Sequence, residues 1–248
     1  MSEHVRPLDR VIRWMAATVV ALLVLPAVGC WVLREWDQAQ RKWRYQEARG
    51  RLRNVGLAVH QYATRYEGWT PPGGTVEEAS PEWSWQVQLL PFLDRDDLYH
   101  RVDIHQPWDS ASNRGVAGTS IASFLSPYEP KPDRSLSLAI THQSANAKIF
   151  GPRQGVSFED IIRQDGTNST IMLGEIGAEF PPWARPGNVR DPARGLRGGP
   201  GEFGRSSGQG GWMIFMAGYA RFLPAETSPR VLELLADPNN GVPPGSEF

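Results

Sequence analysis

The residues able to do chemistry fall into a few patterns, each with its own geometric demand. Gly204-Arg205-Ser206-Ser207-Gly208 fits Gly-x-Ser-x-Gly, but a nucleophile elbow needs a strand before the serine and a helix after it. This stretch is glycine-rich loop, and so is Gly199-Pro200-Gly201-Glu202-Phe203-Gly204, a Gly-x-Gly-x-x-Gly pattern with no helix N-terminus to hold a phosphate. His100, Asp103 and His105 are metal-ligand types without the spacing of one helix face, and read as surface or turn residues. Asp94, Asp96 and Asp97 lack the glycine and terminal glutamate of a calcium loop and read as a solvated helix start. Asp165 and Glu175 are two carboxylates suited in kind to acid-base work, yet Asp165 opens a turn and Glu175 ends an apolar run. The tryptophans Trp69, Trp83, Trp85, Trp108, Trp183 and Trp212 could stack on sugar rings, although large aromatics more often fill a modest core. No catalytic residue, cofactor or metal is expected from these patterns.

Something must position these groups, and the strongest signal for it runs from Trp14 to Tyr66. Trp14 to Leu33 is free of formal charge and bracketed by Arg13 and Arg34, about the length that crosses a ~30 Å hydrocarbon core. It is expected to be a transmembrane helix anchored through Trp14, Leu22, Leu23, Pro26 and Trp31, with the bilayer as a partner. A cleaved reading stays open, with Ala27-Val28-Gly29-Cys30 as a lipobox-like site. Beyond Arg34, Ala48, Leu52, Val55, Val59, Tyr62 and Tyr66 alternate in steps of four and three, which predicts an amphipathic helix with one buried face. The flanking charges leave orientation open: Arg6, Arg10 and Arg13 precede the span, and a larger basic group follows it.

The remainder predicts one domain, since roughly 180 residues follow Tyr66. The expected organisation is a short basic segment at 1–13, the span at 14–33, the amphipathic helix at 34–66, an α+β domain at 67–236 and a loose tail at 237–248. Within the domain, 84–93 is read as helix in preference to strand, 120–125 as a strand, and 180–211 as a long Pro/Gly-rich loop. Residues 212–216 and 219–223 read as a hairpin and 230–236 as a closing helix. A net charge of -1 provides no excess of basic residues to neutralise phosphates, so no nucleic-acid partner is expected. The single cysteine, Cys30, rules out an intramolecular disulfide.

Several motifs in fixed order carry a family resemblance. Leu52-Arg53-Asn54-Val55-Gly56-Leu57-Ala58-Val59-His60-Gln61-Tyr62 is followed by Pro71-Pro72-Gly73, Trp83-Ser84-Trp85, Leu89-Leu90-Pro91-Phe92-Leu93, Pro107-Trp108-Asp109 and Asp165-Gly166-Thr167-Asn168-Ser169-Thr170-Ile171-Met172-Leu173-Gly174-Glu175. In these the chain resembles the bacterial pilin-like proteins classed as domain of unknown function 1559. The resemblance implies a long N-terminal helix packed on an antiparallel sheet with long loops, and an extracytoplasmic C-terminal domain. It marks Leu52, Gly56, His60, Tyr62, Trp85, Pro91, Trp108, Asp165, Gly166, Thr170, Glu175 and Gly218 as structural motif positions. It further implies partners among pilin-like subunits or cell-envelope proteins and no small-molecule substrate.

The chain departs from that family in three places. The prepilin signal region reads His4-Val5-Arg6-Pro7-Leu8-Asp9; the two family cysteines correspond to Ala48 and Ser126; and the His-x9-Asp-Gly signature falls on Ser207 through Ala217-Gly218. The expected function is therefore a membrane-anchored, extracytoplasmic, pseudopilin-like structural or interaction protein. The alternative is an anchored periplasmic glycan-binding protein or enzyme.

Overall fold

The computed structural model describes residues 7–74, 83–133, 137–164 and 166–240, with the side chains of 7–12, 16, 17, 19 and 21–27 also outside the description. Helix α1 covers Pro7–Arg65, and the chain divides into two compact units, 1–46 and 47–248, with α1 beginning in one and ending in the other. Among the described residues no helix is long and apolar enough to cross a membrane. This corrects the expected transmembrane assignment of 14–33. From residue 28 onward, α1 carries Arg34, Glu35, Asp37, Arg41, Lys42 and Arg44 within a few turns, too much charge for a hydrocarbon core. Trp14 and Trp31 are exposed on the helix, while the side chains of Leu22, Leu23 and Pro26 lie outside the described residues.

In the second unit the amphipathic stripe does what its spacing predicts. Ala48, Leu52, Val55, Val59 and Tyr62 are buried in the main core, and the stripe ends before Tyr66, which is exposed. The helix meets a five-stranded sheet of order β3-β1-β2-β4-β5, formed by β1 (Gln143–Asn146), β2 (Ile171–Glu175), β3 (Val189–Arg190), β4 (Gly210–Phe215) and β5 (Ala220–Pro224). Gly56 marks the closest approach: a Cβ there would lie 2.7 Å from Ile214 Cγ2. Any larger residue would force the helix away from β4.

The sheet is mixed, which corrects the antiparallel expectation. β1 pairs in parallel with the two-residue β3, while β1–β2, β2–β4 and β4–β5 are antiparallel. Every residue of β2 and β4 is buried, because each face of the sheet has its own apolar cluster. Met172 and Ile214 belong to the cluster that contains α1's stripe. Ile171, Met213 and Phe215 join Leu232 and Leu235 of α6 (Pro229–Ala236) in a second cluster. Burial on both faces removes the alternation that a one-sided strand would show. Asn146 of β1 fastens α6, its amide donating to Ile171 O and Ala236 O at 2.8 Å each.

The predicted hairpin is β4–β5, turning at Gly218 with φ +85°. Residues 84–93 are helical, as α2 (Trp85–Gln88) and a 3-10 turn at Leu90–Leu93. Ala122–Phe124 is a 3-10 turn and not the predicted strand. The 180–211 loop contains β3 and another 3-10 turn, Pro192–Arg194. Among the described residues the unit also has the short helices α3 (Asp96–Tyr99), α4 (Arg114–Ala117) and α5 (Phe158–Arg163).

Candidate functional site

A glutamate at the end of a strand buried throughout has to find partners, because a buried carboxylate without them is costly. Glu175, 1% exposed, finds three. Oε1 accepts from Ser126 Oγ at 2.7 Å; Oε2 accepts from Arg205 Nε at 2.7 Å and from the Trp212 backbone N–H at 2.9 Å. One carboxylate thus joins the 125–129 loop, β2, the glycine-rich loop and β4. The Arg205 guanidinium also lies 3.6 Å from the Tyr128 ring centroid and 5.2 Å from that of Phe222, an arrangement that favours the cation over aromatic faces.

The loop that delivers Arg205 depends on glycine. Gly204 has φ +99°, and a Cβ there would lie 2.0 Å from Leu196 O. Its N–H donates to Glu175 O at 2.8 Å, and Arg205 N–H to Gly210 O at 2.9 Å. The Gly-x-Ser-x-Gly pattern is therefore a device for burying Arg205 against Glu175. Ser206 is exposed, with its N–H bonded to Glu129 Oε1 at 3.0 Å, and no strand precedes it or helix follows it.

His142, next to β1, borders this centre. Its Nδ1 accepts from the Ser126 N–H at 3.1 Å, its ring lies 4.6 Å from that of Phe180, and Nε2 has no hydrogen-bond partner among the described residues. Burial pushes its pKa down to about 4, opposed by the contact with the Ser126 backbone and helped by the positive charge of Arg51. Serine, histidine and glutamate thus lie together without forming a relay. Ser126 Oγ donates to the carboxylate, and the imidazole nitrogen facing Ser126 is taken by its backbone N–H. Ser126 thus serves as a donor to Glu175.

The sequence-derived positions scatter around this centre in structural roles. Leu52, Gly56, Tyr62 and Trp85 line the core face of the unit, and Trp85 Nε1 donates to Asn188 O at 2.9 Å. His60 is half-buried beside Gly218; burial lowers its pKa, partly opposed by the Met216 backbone. Pro91 starts the Leu90–Leu93 turn, and Trp108 packs partly buried against the core. Thr170 Oγ1 donates to Gly166 O at 3.2 Å, while Asp165 lies outside the described residues. The expected pairing of Asp165 with Glu175 thus falls outside the described residues, and Glu175 itself sits in a saturated node.

Metal ligation finds no support: among the described residues no group of His, Cys, Asp and Glu is arranged to hold an ion. Asp103 Oδ1 accepts from the His105 N–H in a turn organised by Asn113, and Asp97 pairs with Arg95 at 2.9 Å. Half of the six tryptophans are not available to a stacking face. Trp85, Trp183 and Trp212 are buried, and Trp183 Nε1 donates to Thr119 O at 3.0 Å.

The residues missed in the sequence are Arg205 and His142, together with Ser126's role as a hydrogen-bond donor. A usable signal existed: Glu175 closing the apolar run Ile171-Met172-Leu173-Gly174 demanded a buried cation, and Arg205 was a candidate held between glycines.

Residues 44–148 match a family model described as protein of unknown function (DUF1559). No curated protein matches the chain, and no solved structure does. The matched segment holds Leu52, Gly56, His60, Tyr62, Trp85, Pro91 and Trp108. The Glu175–Arg205 node lies outside it.

Proposed function

We propose, from the match of residues 44–148 to the DUF1559 family model of unknown function, a structural or interaction role for a pilin-like, extracytoplasmic domain. The observation that carries this reading is the saturation of Glu175. The most chemically suggestive cluster in the unit spends its carboxylate on Ser126, Arg205 and a backbone N–H, leaving no oxygen facing a substrate. Such a node holds loops in register. Its proposed partners are other pilin-like subunits or cell-envelope proteins, reached through the surface of the 47–248 unit.

Two fusions and one cross-linking experiment test the proposal. Alkaline phosphatase joined to the C-terminus should be active in producing cells and a β-galactosidase fusion inactive, and cross-linking in those cells should give discrete adducts above the 27.6 kDa chain. Active β-galactosidase, or a chain that stays monomeric under cross-linking, contradicts it.

A further inference from the structure

Away from the Glu175 node, a cleft of about 390 Å³ opens on the 47–248 unit. That volume lies near the lower end of the range for small-molecule sites, ~300–1,000 Å³. Its apolar part is formed by the half-buried Trp69 with Ile161 and Pro238, both buried. Its polar rim comes from Asp160 and Gln164 of the α5 region on one side and from Lys148, Asp237 and Asn239 on the other. Trp69 is the tryptophan of this cleft and lies beside the carboxylates of Asp160 and Asp237 in its lining.

Backbone hydrogen bonds hold the platform in place. Residues 68–70 and 156–158 form a short antiparallel bridge: Thr70 N–H donates to Val156 O at 3.0 Å and Phe158 N–H to Gly68 O at 2.9 Å, with Trp69 opposite Ser157. Little ordering cost would be incurred when a ligand stacks on the indole. Charge selects the ligand class. Asp237 is already neutralised by Lys148 at 3.1 Å and accepts the Asn239 N–H at 3.0 Å. With Asp160 the cleft has one excess negative charge, which disfavours phosphates and acidic sugars. What remains is an aromatic floor ringed by amide, carboxylate and ammonium groups, suited to hydroxyls above an apolar ring face.

We propose that this cleft binds a short neutral oligosaccharide, with Trp69 stacking on a sugar ring and Asp160, Gln164 and Asn239 bonding its hydroxyls. The proposal goes beyond the interaction role above, does not depend on it, and departs from the sequence expectation of no small ligand.

The test titrates the full-length chain with maltotriose, cellotriose and N,N′-diacetylchitobiose up to ~10 mM, tenfold above a Kd of ~1 mM. Saturation-transfer NMR and tryptophan fluorescence provide the readouts. At least one probe should give saturable quenching and saturation transfer to its ring protons. Trp69→Ala should weaken it roughly tenfold, the upper end for an aromatic contact. Should Trp69→Ala fail to fold, Asp160→Ala, at an exposed position on α5, should weaken binding about threefold or more, the loss of one hydrogen bond. Arg230→Ala, outside the cleft lining, should leave it unchanged. No saturable signal from any of the three probes overturns the proposal. So does binding that survives both cleft variants, or inorganic phosphate binding in the saccharide's place.

Discussion

Two ion pairs that join separate segments among the described residues of the 47–248 unit are close in length but differ in what surrounds them. Arg205–Glu175 spans 2.7 Å with side chains 8% and 2% exposed; Lys148–Asp237 spans 3.1 Å with side chains 36% and 39% exposed. The first has lost its water and makes good the loss with a hydroxyl, a backbone N–H and an aromatic face. The second keeps its water and borders a cleft. Burial with saturation turns a charge pair into a structural tie, whereas exposure leaves one free to meet a ligand.

The comparison can be broken most severely at Glu175. Removing the carboxylate leaves Arg205 buried and uncompensated, so Glu175→Ala is expected to destabilise the domain by about 3–5 kcal/mol in urea unfolding. A loss under about 1 kcal/mol would mean that water reaches the node.

His142 sharpens the same contrast through pH. An unfolded histidine protonates near 6.5 and this one near 4, so between those values the unfolded chain binds the extra proton. Stability should therefore hold above about pH 6.5, fall as pH drops toward 4, and be lower by on the order of 3 kcal/mol at the bottom of that window. His142→Gln should flatten this slope, and an unchanged slope would place the titration elsewhere.

The smallest effect is expected at the exposed pair. Lys148→Ala should change stability by only about 0.2–1 kcal/mol, and the difference should shrink further in high salt.

Much of the fold was legible because periodicity survives wherever a helix has one buried face. The Ala48 to Tyr62 stripe, the β4–β5 hairpin and α6 could all be read directly. The parallel β3 could not, since two half-buried residues inside a Pro/Gly-rich loop carry no pattern. The stretch 120–125 misled because a 3-10 turn that buries Phe124 has the same apolar content as a short strand. The reading of 14–33 as a membrane span rested on the absence of charge from that stretch, and among the described residues no helix is long and apolar enough to cross a membrane.

The sites were harder to read than the fold. Glu175 was recognisable as a carboxylate out of place, but its partners Ser126 and Arg205 lie 49 and 30 residues away. Arg205 also sat in a motif whose serine drew the attention. The Trp69 cleft draws on segments around 69, 148–164 and 237–239, and no local spacing links them.

Glu175 and Arg205 act as one structural unit, and a double-mutant cycle distinguishes such a unit from two independent side chains. Urea unfolding of Glu175→Gln, Arg205→Met and the double variant measures the coupling. The double variant should lose less stability than the two single losses added together, with a coupling of about 1–3 kcal/mol, because either substitution alone strands the other group. Losses that add to within about 0.5 kcal/mol would show two independent side chains and contradict the account.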